Sequence, residues 1–124
     1  MALAIALLAS CRSKPPATED VTVWQSRGTW SGRGSQQTAP FISNTGVLRL
    51  TWEARGSSKT PFKIFVHSDV SGRPLLTAVD RIGGGKDVTY VQEDPRSFFL
   101  VIESADLEWT VEVSEGVAGV RTQK

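Results

Sequence analysis

Few residues of this chain have the types and spacing that catalysis demands. A Ser-His-acid hydrolase needs a nucleophile, a base and an orienting carboxylate in contact. The single histidine, His67, is followed directly by Ser68 and Asp69. Neighbours along a strand face opposite sides, so these three side chains do not converge. One histidine and one cysteine leave no set of thiolate or imidazole ligands for zinc. Asp80, Asp87, Glu93 and Asp94 carry the oxygen ligands that calcium prefers, around Gly83, Gly84 and Gly85. Without a dense Asp-x-Asp-x-Asp run they read as solvated loop charges. Gly83-Gly-Gly-Lys86 lacks the Gly-x4-Gly-Lys-Ser/Thr spacing and the helix of a phosphate loop. Glu108 and Glu112 share a strand face, but at roughly 3.3 Å per residue they stand about 13 Å apart. Paired carboxylates that cleave a glycosidic bond sit closer. The expectation is a protein without catalysis and without a cofactor. A hydrolase with an unrecognised site is the remote alternative.

Binding chemistry has better candidates. Trp24 alternates away from Val21 and Val23, and Trp30 lies beside Gly32 and Gly34, with Arg27 and Arg33 close by. Aromatic faces next to guanidinium groups can stack on a sugar ring or a peptide. The same tryptophans could instead close the open end of a sandwich. Trp52 and Trp109 fall on core faces by alternation.

The cysteine has the most telling neighbourhood. Ala2 to Ala9 is wholly apolar, and Leu8-Ala9-Ser10 leads directly into Cys11. A helix that spans a bilayer needs roughly 20 apolar residues, so this run cannot span alone. Arg12, Ser13, Lys14, Pro15 and Pro16 follow at once and end any helix. Leu8-Ala9-Ser10-Cys11 resembles the lipobox of bacterial lipoproteins. The resemblance implies that residues 1–10 are a signal peptide and that the Cys11 thiol carries a diacylglycerol. It implies cleavage before Cys11, a membrane partner reached through the lipid, and a domain in the cell envelope, outside the cytoplasm. One acyl chain anchors only marginally, and two or three hold nearly permanently. The usual basic start is missing here, and a translation start placed further upstream would supply it.

Composition narrows the partners. The chain has 124 residues, enough for one domain, with 14 Lys and Arg against 13 Asp and Glu, a net charge of +1. That balance argues against nucleic acid, which demands a concentrated basic face. A protein, peptide or glycan remains as the ligand class.

The elements that must position these residues are strands. Period-two alternation is punctuated by turn signals about every ten residues, the mark of a sandwich or barrel. In Val47 to Ala54, Leu48, Leu50, Trp52 and Ala54 point one way, while Arg49, Thr51 and Glu53 point the other. Pro61 to Ser68 places Phe62, Ile64 and Val66 inward, and Trp109 to Val113 places Trp109, Val111 and Val113 inward. Ser97 to Glu103 is apolar on both faces and so belongs in the middle of a sheet. Val21 to Trp24, Phe41 to Ser43, Leu75 to Asp80 and Asp87 to Gln92 complete the set. The expected fold is all-β, an antiparallel, jelly-roll-like β-sandwich of about eight short strands over residues 21–115. Residues 11–20 read as a lipidated cysteine and tether, and residues 116–124 as a flexible tail. The spacing of Trp30-x-Gly-x-Gly, Leu-x-Leu-x-Trp52, Phe-x-Ile-x-Val66 and Phe-x-Leu-x-Ile102 is similar to small β-sandwich domains of exported bacterial proteins. That likeness covers roughly residues 20 to 115 and implies no activity. A structural or envelope-assembly lipoprotein that pairs through a sheet edge is the alternative function.

Overall fold

Alternation builds the core, and the strands follow it. The computed structural model describes residues 18–122. In chain order the strands are β1 (Thr18–Arg33), β2 (Gln36–Gln37), β3 (Phe41–Ser43), β4 (Val47–Arg55), β5 (Pro61–Ser68), β6 (Pro74–Ile82), β7 (Gly85–Gln92), β8 (Arg96–Ser104) and β9 (Glu108–Thr122). One sheet runs β1-β9-β4-β7 and the other runs β2-β8-β5-β6, with β3 also on β8. All the pairings are antiparallel. β2 and β3 lie one after the other along β8, so together they fill one position. The result is two four-position sheets in jelly-roll order. The chain is an all-β antiparallel sandwich, as the alternation predicts.

Between the sheets lie Leu48, Leu50, Trp52, Trp109, Val111 and Val113 from one side, and Phe62, Ile64, Val66, Phe98, Leu100 and Ile102 from the other. Each such side chain contributes about 1.5–3 kcal/mol when fully buried. The tryptophans also satisfy their N–H groups: Trp52 Nε1 donates to Thr89 Oγ1 at 3.1 Å, and Trp109 Nε1 to the Gly34 carbonyl at 2.9 Å. β8 is central, as its two apolar faces require. Its outward Phe99 is covered by the His67 ring, 5.0 Å away between centroids.

Three expectations need correction. The strands are not all short: β1 has 16 residues and β9 has 15. Gly116 onward is no loose tail, because β9 continues to Thr122 against β1, with Gly116 opposite Trp24 and Ala118 opposite Thr22. For the same reason the tether expected up to Asp20 gives way to strand at Thr18. β4 accompanies β9 only as far as the Leu48–Glu115 pair. Beyond it, β9 has β1 as its strand partner, with Thr45 Oγ1 donating to the Gly116 carbonyl at 2.8 Å, and the two strands continue as a ribbon. Cys11 and the signal segment lie outside the described residues.

Candidate functional site

Alternation divides the β1-β9-β4-β7 sheet into an inner face and an outer one. Register places Trp24 opposite Gly116, Ser26 opposite Ser114 and Thr29 opposite Glu112. Arg49 stands opposite both Ser114 and Tyr90, and Thr51 opposite both Glu112 and Val88. These residues share the outer face, because paired residues of neighbouring strands point the same way.

Gly116 leaves a bare place on that face, and Trp24 fills it. A Cβ at Gly116 would sit 3.0 Å from Trp24 Cζ3, so the indole lies across β9. It reaches Arg49, whose guanidinium carbon is 4.7 Å from its ring centroid, and Tyr90, 5.8 Å away at a tilt of 54°. Both contacts have favourable geometry for rings and cations. Trp24 is half-buried, while Tyr90 is 66% exposed. Next to this ridge, one pleat further along each strand, lies a trough of about 580 Å³. Thr29, Thr51, Glu53, Lys86, Val88 and Glu112 line it.

The other expected binding residues go elsewhere. Trp30 is not in a loop; it lies in β1 and faces inward. It is half-buried, packs against the core and meets Phe41 at 5.6 Å. Gly28 makes room for it, since a Cβ there would collide with the Trp30 ring. Arg33 pairs with Glu108 on the exposed surface. Arg27 is taken up by Glu115. The four therefore do not form one site; only Trp24 lies on the ridge, and Arg49 and Tyr90 are its partners.

Glu115 was not among the candidates, and among the described residues it is the buried charge. Its side chain has 0% exposure. The signal was present, because the inward series Trp109, Val111, Val113 continues to position 115. A β-bulge between Ser26 and Gly28 turns Arg27 toward it. Arg27 donates to Oε1 through Nε at 2.9 Å and through Nη2. Ser43 Oγ and the Thr45 backbone N–H donate to Oε2, each at 2.8 Å. Burial pushes this carboxyl up, but the Ser43 hydroxyl, Arg27 and the Thr45 and Asn44 backbone N–H groups outweigh it and hold it at about 2. The loop that crosses from one sheet to the other at residues 44–46 is thereby pinned to β9. Gly46 in that loop has φ +74°, and a Cβ there would strike the Glu93 carbonyl. Glu115 is a structural knot, away from the outer face.

His67, Ser68 and Asp69 do not converge. His67 Nδ1 lies 3.2 Å from the Gly72 carbonyl, Ser68 is buried, and Asp69 accepts from Ser97 Oγ at 3.2 Å. Among the described residues no three His, Cys, Asp or Glu side chains are grouped to hold a metal ion.

No protein-family model matches the chain, and no curated protein matches it either. Its fold is similar to that of a solved structure from Bacillus endospore appendages, described as forming a novel family of disulfide-linked pili. The two share 11% identity at a TM-score of 0.51, over 96% of this chain and all of that one. At that identity the likeness is one of fold.

Proposed function

We propose that this chain is a non-catalytic binding module of the cell envelope, held to a membrane by lipid on Cys11. Its recognition surface is the outer face of the β1-β9-β4-β7 sheet. The carrying observation is the ridge of Trp24, Arg49 and Tyr90 beside an open trough. Tyr90, 66% exposed, stands against Trp24 and leaves the ridge open to a partner. The rigid sheet beneath holds the ridge in place, so little ordering is needed on binding.

Two measurements test this. Retention on isolated cell-envelope polysaccharide and protein fractions should fall at least tenfold in Trp24→Ala and Tyr90→Ala. Val70→Ser, an exposed site in the β5–β6 turn, should bind like the unaltered protein. Equal retention of all variants overturns the assignment of this face. Mass spectrometry of the membrane fraction should show a lipid-modified Cys11 at the N-terminus; an unmodified chain beginning at Met1 overturns the anchor.

A second reading has its own support. The β1–β9 ribbon extends past the end of β4, so β9 has an open edge over its last residues. A groove at this place is lined by Val21, Val47, Val117 and Ala118. An open edge can accept a further strand. Assembly through it agrees with an envelope structural role, and a fold shared with a pilus protein is compatible with that role. Strict monomers at high concentration and in crosslinked cells would exclude it.

A further inference from the structure

We infer that the open edge of the β1–β9 ribbon pairs with the same edge of a second copy of this chain, antiparallel and about a two-fold axis at Val120; this rests on the second reading above. One bond orients β9. Thr45 Oγ1, in the loop that leads into β4, donates to the Gly116 carbonyl at 2.8 Å. Gly116 therefore turns its main-chain groups away from β1. Along a strand these groups alternate sides, and the β1–β9 register runs without a shift from Trp24 to Thr18. Ala118, Val120 and Thr122 thus also point theirs away from β1. The register of β4 with β9 has ended by then, at the Leu48–Glu115 pair. Among the described residues no other strand pairs with β9 on that side.

The other edges are guarded. β1 has a bulge between Ser26 and Gly28, with Glu19 and Asp20 near its start. β6 starts at Pro74 and shifts register twice against β5. β7 carries Lys86 and Asp87, and β2 and β3 have two and three residues. Charges, proline, bulges and short strands are the devices that keep edges from pairing. Gly116 to Val120 of β9 has none of them, and Val120 is 66% exposed. This edge also complements itself. An identical strand turned about Val120 sets Val120 against Val120 and Ala118 against Thr122, so the outward main-chain groups of each copy meet those of the other. The paired stretch then ends at Ala118, short of Gly116, where Thr45 already sits. Arg121 falls opposite Gly119 and keeps Glu19 of its own β1 beside it, so no like charges stand directly opposite. The two exposed valines cover each other on the outer face, and both Trp24 ridges lie on one continuous sheet.

Crosslinking tests the register, in the full chain with Cys11→Ser so that each introduced thiol is alone. With a short bifunctional thiol reagent, Val120→Cys should give a covalent dimer at least tenfold faster than Ala118→Cys. The two copies of residue 118 would stand about 13 Å apart, at roughly 3.3 Å per residue. Val70→Cys, exposed in the β5–β6 turn, controls for chance collisions and should lag as far. The interface is small, so sedimentation of the unaltered chain should show a dimer that grows with concentration. Val120→Lys sets two ammonium groups opposite each other and should weaken that dimer at least tenfold. Its Tm in dilute solution should match that of the unaltered chain, since the site is exposed. Ala118→Pro, which removes an outward N–H, should weaken the dimer by the main chain alone. If Val120→Cys links no faster than Val70→Cys, or Val120→Lys leaves the dimer intact, self-pairing falls. Faster linking through Ala118→Cys than through Val120→Cys overturns the register. A monomer whose Val120→Cys links to a different protein in intact cells, with Cys11 kept, overturns self-pairing while the second reading stands. Linking to neither a copy nor another protein removes both.

Discussion

A carboxylate with no accessible surface must meet all its hydrogen-bonding needs inside the protein, and Glu115 meets them from three segments. Arg27 comes from β1, Ser43 from β3, and Thr45 from the loop into β4. Replacing one partner of such a set leaves the others facing an empty or reversed dipole. Glu115→Gln keeps the size, but turns an NH₂ toward donors and strips Arg27 of its counter-charge. Removing one member of a buried pair costs about 3–5 kcal/mol. Arg27 keeps 31% of its side-chain surface in water, which relieves part of that cost. The expected loss is about 2–3 kcal/mol, seen as a fall of about 10 °C in Tm at roughly 4 °C per kcal/mol. The Arg33–Glu108 pair is the control, with side chains 66% and 50% exposed. Glu108→Gln should change stability by less than about 0.5 kcal/mol, as surface pairs do. Equal effects at the two sites in chemical denaturation would show that Glu115 is no knot.

Elements differ in how far their sequences announce them. β4 and β5 were legible because every second residue is large and apolar, and that period maps directly onto buried positions. β8 was legible from its two apolar faces. β1 was legible only over Val21 to Trp24, because Ser26, Arg27, Gly28, Gly32 and a bulge break its period beyond. It is a strand by virtue of its partner β9, and so is the stretch from Gly116, where Gly116 and Gly119 have little β preference of their own. The site was half legible. Trp24 stood out as an aromatic off the apolar alternation. Arg49 and Tyr90 did not, since they join it only when Gly116 lets the indole cross a strand. Strands held by one neighbour alone should open first. Hydrogen exchange is expected to be slowest in β5 and β8, and fastest among the strands at residues 18–22 and 118–122. Full protection of that ribbon in concentrated solution would mean a second molecule covers its edge, which favours assembly over ligand binding.

The whole molecule carries a charge of only +1 at neutral pH, so self-repulsion contributes little there and the acid limit is set by particular groups. Glu115 is the largest of them. Its ordinary value is 4.5 and its folded value about 2. Above pH 4.5 the carboxyl is ionised in both folded and unfolded chains, and its stabilising contribution is complete. Between pH 4.5 and 2 the unfolded chain takes up a proton that the folded chain refuses, so folding weakens as the pH falls. Below pH 2 both forms are protonated and the contribution is gone. The span corresponds to about 3 kcal/mol at 1.36 kcal/mol per unit. Glu108, lowered by its hydrogen bond to Arg33, has the same sign but is exposed and adds little. Urea midpoints measured from pH 6 to pH 2 should therefore decline steeply below pH 4.5. The same series in Glu115→Gln should start lower and decline less, so that the two curves converge near pH 2. Parallel curves across that range would place the acid sensitivity on other carboxylates and remove Glu115 from its role.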